Sequence, residues 1–129
     1  MSRWTVGQFK DVVDRLRSEC PREAWDDVLM RYSRLVETGP QCGGLVAKKL
    51  KGGKGIWELL GHAGNCQPRL LFYFDERQRQ IVFVHGFIKQ GNNEYKNAID
   101  LAQKRRRLIE QKERPINVLN QPGKPDGVH

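Results

Sequence analysis

The sequence predicts an α+β fold: an N-terminal helical hairpin packed on a small antiparallel sheet, with a basic C-terminal helix. Three observations carry that expectation. Apolar residues recur at helical spacing through the first forty positions. Two β-rich runs, RLLFYFD and IVFVHGFIK, then flank a short polar turn, as in an antiparallel hairpin. Near the end an amphipathic stretch carries four consecutive basic residues, Lys104 to Arg107. Helices grouped at the ends, rather than alternating with strands, argue for α+β over a parallel α/β layout.

Each element has its own signal. Thr5 and Gln8 have the T-x-x-Q spacing of a capping box, and Val6, Phe9, Val12, Val13 and Leu16 follow at helical spacing. They predict a first helix ending near Cys20, with only Met1 to Trp4 ahead of it. Pro21 suits the first turn of a second helix, in which Trp25, Val28, Leu29, Tyr32, Leu35 and Val36 form an apolar stripe. Gly39–Pro40 stops it. Lysines around a Gly-Gly turn lead into a strand expected from Gly55 to His62. Strands over Arg69–Asp75 and Ile81–Lys89 follow, joined by a turn at Glu76–Gln80. Asn92 or Asn93 caps the third helix. There Ala98, Leu101, Ala102, Leu108 and Ile109 face inward, Lys104 to Arg107 lie outside, and Pro115 ends it.

The predicted order is therefore α–α–β–β–β–α. Trp25, Val28, Leu29, Leu35, Leu70, Phe72, Val82 and Val84 are expected in the core. The tail INVLNQPGKPDGVH, rich in Pro, Gly and Asn, reads as a mobile extension. This makes 1–112 a single domain and 113–129 a flexible tail.

Composition narrows the function. A chain of 129 residues fits one domain with its own core. No apolar run is long enough for a membrane span, and the N-terminus has no secretory pattern, so the expected compartment is the cytoplasm. Cys20, Cys42 and Cys66 are odd in number and form no C-x-x-C pair, which argues against a disulfide framework or a zinc knuckle. They read as reduced cysteines, or as including one reactive thiol. No metal or cofactor site is expected, and Gly52, Gly53 and Gly55 match no phosphate-binding loop. The net charge of +8 is localised. Residues 1–40 hold seven Lys/Arg and seven Asp/Glu, residues 41–112 hold fourteen against six, and the tail holds two of each. A basic half fits a polyanionic partner held by counterion release. It fits equally a solvated surface or an acidic protein partner.

The ordered segments KKLKGGKGIWEL, RLLFYF and IVFVHGFIKQ, closed by a Lys/Arg-rich helix, resemble the phage-derived branch of RelE/HigB toxins. The resemblance spans about Val36 to Arg107. Leu60 and Gln90 stand where that branch usually carries basic residues, and His62 lies two positions beyond Leu60. Its usual first strand is short or missing here. The resemblance implies a ribosome-dependent, metal-free mRNA endoribonuclease that inhibits translation. It also implies a helix-turn-helix antitoxin as partner, and the ribosome and mRNA as targets. The alternatives are a gyrase-inhibiting toxin of the same fold, or a basic RNA- or protein-binding relative without catalysis.

Such cleavage uses the RNA's own 2′-hydroxyl, so a proton acceptor, cations for the phosphate and a proton donor are needed. Period-2 alternation puts Arg69, Leu71 and Tyr73 on one strand face, and His85, Phe87 and Lys89 on one face of the next. Arg69/Tyr73 and His85/Lys89 should line an open face, while Leu70, Phe72, Phe74 and Val84 pack on the hairpin. The resemblance casts Arg69 as a phosphate clamp; the alternative is a surface arginine. His85 reads as general acid or base, or as a structural histidine. Lys89 reads as a phosphate-neutralising cation or a solvated strand end, and Tyr95 as a stacking or proton-donating group or a packing residue. Arg69 and Lys89 are expected to be largely exposed. Lys48, Lys49, Lys51, Lys54, Lys104, Arg105, Arg106 and Arg107 read as RNA-phosphate contacts, any one of which is equally a solvated charge. Glu58 and Asp75 form no paired-carboxylate spacing.

Overall fold

A computed structural model of the chain describes residues 3–91, 93–112 and 116–118. Its first element is a strand, β1 (Thr5–Phe9), at the place where a helix start was expected. Val6, Gly7, Gln8 and Phe9 are all buried, so periodicity alone does not separate this short run from a helical turn. Gln8 does cap a helix, but from the end of the strand. Its Oε1 accepts from the Val13 backbone N–H at 2.9 Å and its Nε2 donates to Asp14. Helices α1 (Val12–Glu19) and α2 (Arg22–Thr38) follow as a pair. They bury Val12, Val13 and Leu16, then Trp25, Val28, Tyr32, Leu35 and Val36. A single 3₁₀ turn at Gly39–Gln41 ends α2.

The strands β2 (Ala47–Lys49), β3 (Trp57–Leu60), β4 (Pro68–Asp75) and β5 (Gln80–Ile88) form an antiparallel meander. Helix α3 (Glu94–Glu110) and strand β6 (Ile116–Val118) complete the chain. The sheet order is β2-β3-β4-β5-β1-β6. The sheet is mixed, not wholly antiparallel, because β1 pairs in parallel with β5. A parallel neighbour needs a long connection, and the helical pair plus the meander supply it.

Helices α1 and α2 cover one face of the sheet, where Tyr32 meets Phe83 at 5.4 Å between ring centroids. Gly86 lies against Leu16 and Leu70 on that side. Helix α3 covers the other face, so the face expected to be open is roofed. A register shift between Leu71 and Phe72 pairs Phe72 with Phe83 but Leu71 with His85. The extra residue, Val84, reverses the alternation along β5. Phe83 therefore points to the helical pair and His85 to α3, while Val82, opposite Tyr73, sides with α3 rather than with the hairpin. The predicted core residues are all buried except Leu29, which packs at its margin.

Asn92 and Pro115 lie outside the described residues. Asn93 precedes α3 without a side-chain cap; Glu94 Oε1 instead accepts from the Gln90 and Gly91 backbone N–H groups. Of the predicted flexible tail, Ile116–Val118 pair with β1; residues 113–115 and 119–129 lie outside the description. No described helix is long and apolar enough to cross a membrane.

Candidate active site

Cross-strand pairing sets the chemistry of the α3 face. Lys48 pairs with Glu58, Glu58 with Leu71, and Leu60 with Arg69, which in turn faces Phe87. Paired residues share a face, so Lys48, Glu58 and Arg69 meet beneath the first turn of α3, which supplies Tyr95. Glu58 is 2% exposed and Arg69 8%. A buried carboxylate is costly unless charged and hydrogen-bonding groups meet it, and here they do. Tyr95 Oη donates to Glu58 Oε2 at 2.6 Å, and Arg69 Nε lies 3.7 Å from the same oxygen. Lys48 Nζ stands 3.8 Å from Oε1.

Arg69 uses four of its five N–H donors. Nε donates to Tyr95 Oη at 3.2 Å, Nη1 to the carbonyls of Gly61 (2.6 Å) and Pro68 (3.2 Å), and Nη2 to Gln67 Oε1 at 2.9 Å. It ties the β3–β4 loop to α3 and to Glu58. The expectation of a largely exposed Arg69 is therefore overturned, because α3 covers its strand face. Burial and the hydrogen bond to Glu58 push the Tyr95 hydroxyl up to about 12, which keeps its proton in place at neutral pH.

A cavity of about 390 Å³ opens beside this cluster, lined by Lys48, Lys49, Leu50, Lys51, Glu58, Arg69, Lys89, Tyr95 and Ile99. Lys89 Nζ lies 5.8 Å from the centre of the Tyr95 ring. The fold thus gathers Arg69, Lys89 and Tyr95, with Lys48, Lys49 and Lys51, in one place. Lys54 is exposed and does not line the cavity. His62 lies past the end of β3, exposed, its backbone N–H bonded to Asp27.

His85 does not line the cavity either. It stacks on Phe87 and sits 3.5 Å from Arg105 Nη1. Burial, then the Arg105 guanidinium, pushes its pKa down to about 4, so at neutral pH it carries no proton to donate as imidazolium. The four consecutive basic residues Lys104 to Arg107 do not share one outer face. Lys104 and Arg107 are exposed, but Arg105 donates to the Val84 carbonyl at 2.7 Å and covers the Phe9 ring. Arg106 lies over the Tyr73 ring, 4.4 Å away, and pairs with Glu110. At helical spacing, neighbours at 105 and 106 turn toward the sheet while 104 and 107 flank it.

Glu58 and Gln67 are the residues that spacing did not reveal. The available signal for Glu58 was a lone charge between Trp57 and Leu59 in a strand with covered faces, where it must find partners. All three cysteines are free. Burial, helped by Cys66 and Glu19, raises Cys20 to about 12, and burial also raises Cys42. Neither is an activated thiolate. Among the described residues no group of three or more His, Cys, Asp or Glu is placed to hold a metal ion.

Residues 17–107 match the family described as Phage derived protein Gp49-like (DUF891). No curated protein and no solved structure matches the chain. The matched span includes α2, the strands β2 to β5 and nearly all of α3, and so every residue of the cluster around Glu58. The chain belongs to the phage-derived Gp49-like family, a family associated with the toxins of toxin–antitoxin pairs.

Proposed function

We propose that this protein is the toxin of a toxin–antitoxin pair, of the RelE/HigB type, and that it cleaves mRNA on the ribosome. The observation that supports this most is the cavity of about 390 Å³ in which Lys48, Lys49, Lys51 and Lys89 surround Tyr95 and Glu58. Its size suits a nucleotide, and its cations suit a phosphodiester whose charge grows as the RNA 2′-oxygen attacks phosphorus. Lys89 and Lys48 take the phosphate-binding role first assigned to Arg69, four of whose five N–H donors are already spent on Gly61, Gln67, Pro68 and Tyr95. Arg69 positions Tyr95 and the β3–β4 loop. Its antitoxin is a helix-turn-helix protein encoded alongside that covers the basic half of the chain.

Induction in growing cells followed by primer extension on cellular mRNAs tests the reading. Cuts phased with codons, appearing only during translation and abolished by the co-expressed neighbour, are expected. Intact mRNA with DNA damage would select the gyrase-inhibiting alternative, and a harmless protein that binds no neighbour would end the toxin reading.

A further inference from the structure

The cavity holds several cations and one carboxylate. Of the acidic residues described, Glu58 alone lines it. Glu94 is absent from the lining, and its Oε1 is committed to the Gln90 and Gly91 backbone N–H groups. The other groups able to exchange a proton are poorly suited to accept one. Tyr95 holds its proton up to about 12 and donates it to Glu58 Oε2. His85 is absent from the cavity lining and packs between Phe87 and Arg105.

The two oxygens of Glu58 are differently employed. Oε2 is fixed by Tyr95 at 2.6 Å and by Arg69 at 3.7 Å, both on well-packed elements. Among the described residues, Oε1 meets only the Lys48 ammonium, at 3.8 Å. Lys48 belongs to a three-residue edge strand, and its side chain is 58% exposed. An ammonium on a long, flexible stem moves at little cost, and an arriving phosphate competes for it directly. The rest of the carboxylate stays fixed, as a general base requires.

We propose that Glu58 is the general base, and that Lys48 shields it until substrate phosphate draws the ammonium away. This rests on the endoribonuclease reading. Glu58 Oε1 takes the proton of the RNA 2′-hydroxyl, and the 2′-oxygen forms a bond to phosphorus. The bond from phosphorus to the 5′-oxygen breaks, and the leaving oxygen takes a proton from the Lys89 ammonium. The products are a 2′,3′-cyclic phosphate and a 5′-hydroxyl. The proton on Glu58 returns to the deprotonated Lys89 through solvent, which restores the resting state.

The experiment is single-turnover cleavage on programmed ribosomes at saturating protein, with end-group analysis, ribosome binding and a thermal melt for every variant. Glu58→Gln keeps an oxygen for Tyr95 but accepts no proton, and should lose roughly 10²–10⁴-fold in rate while still binding ribosomes. Glu58→Asp keeps the charge beside Arg69 and withdraws it from the 2′-hydroxyl; a loss of about 10²-fold is expected. It carries the test alone if Glu58→Gln does not fold. Formate should restore part of the activity of Glu58→Ala, which a purely structural role does not predict. Asp100→Asn, exposed on α3, should cleave as wild type. Wild-type rates in Glu58→Gln or Glu58→Asp would overturn the assignment and leave the nuclease reading standing. A wild-type protein that cuts no mRNA would overturn that reading and the assignment with it.

Discussion

At the scale of single residues, environment decides role more than residue type does. His85 has the side chain best suited to neutral-pH proton transfer, yet burial and Arg105 press its pKa down to about 4. Its ordinary value is near 6.5. Between about 4 and 6.5 the unfolded chain binds a proton at this site and the folded protein does not. The contribution to stability is therefore full above about 6.5, falls as pH drops through that window, and changes no further below about 4. Melting curves from pH 8 down to 4 should show Tm falling from about pH 6.5, and His85→Asn should flatten part of that fall. An unchanged pH profile in the variant would mean that another group drives the loss. Arg69 makes the same point from the other side. A guanidinium that engages two carbonyls, a side-chain amide, a tyrosine and a carboxylate is a structural hub with little left for a ligand.

At the scale of elements, the decisive joints are the ones between helix and sheet. Gly39 ends α2 at φ +61°, where side chains with a Cβ are strained. A Cβ there would also overlap the Trp4 indole nitrogen. Trp4 donates its backbone N–H to the Val36 carbonyl at 3.0 Å and packs edge-on against Phe74, so it joins the lead into β1, the end of α2 and β4. Gly39→Ala should cost about 2–4 kcal/mol, from backbone strain and from displacing a buried ring. For a chain of this size Tm should fall by roughly 6–16 °C. Gly43→Ala is the control, since Gly43 shares a positive φ but a Cβ there meets nothing within 4 Å. Equal losses in the two variants would show that backbone strain alone matters and that the Trp4 contact does not.

At the scale of the whole molecule, the basic half of the chain is divided by the fold. Lys48, Lys49, Lys51 and Lys89 converge on one cavity, Arg105 and Arg106 turn inward onto aromatic rings, and Lys104 and Arg107 remain on the surface. Ribosome binding measured across a salt series should separate these groups. Lys48→Met with Lys51→Met should reduce the slope of log affinity against log salt by about 1–2, near 0.7–0.9 per phosphate contact removed. Arg105→Met should leave the slope unchanged and lower stability instead, because its guanidinium serves Val84 and Phe9. Identical slope changes in all variants would point to diffuse attraction rather than a defined contact surface.

Local sequence determined the elements whose signals are local. The α2 stripe with its Gly39–Pro40 stop, the β4–β5 hairpin and the inward Ala98 and Ala102 of α3 follow from periodicity and turn chemistry, which neighbouring residues carry. The concentration of lysines after residue 47 was equally visible. Tertiary structure alone decided the rest. Whether Thr5–Phe9 is a strand depends on β5 and β6 being there to pair with it. The phase of β5 depends on the bulge at Val84, one unpaired residue that no alternation pattern announces. Glu58 joins Lys48, Arg69 and Tyr95 because strand register and the roof formed by α3 bring four distant segments within ion-pairing or hydrogen-bonding range. Sequence spacing encodes neighbours along the chain; a buried polar cluster is defined by neighbours across it.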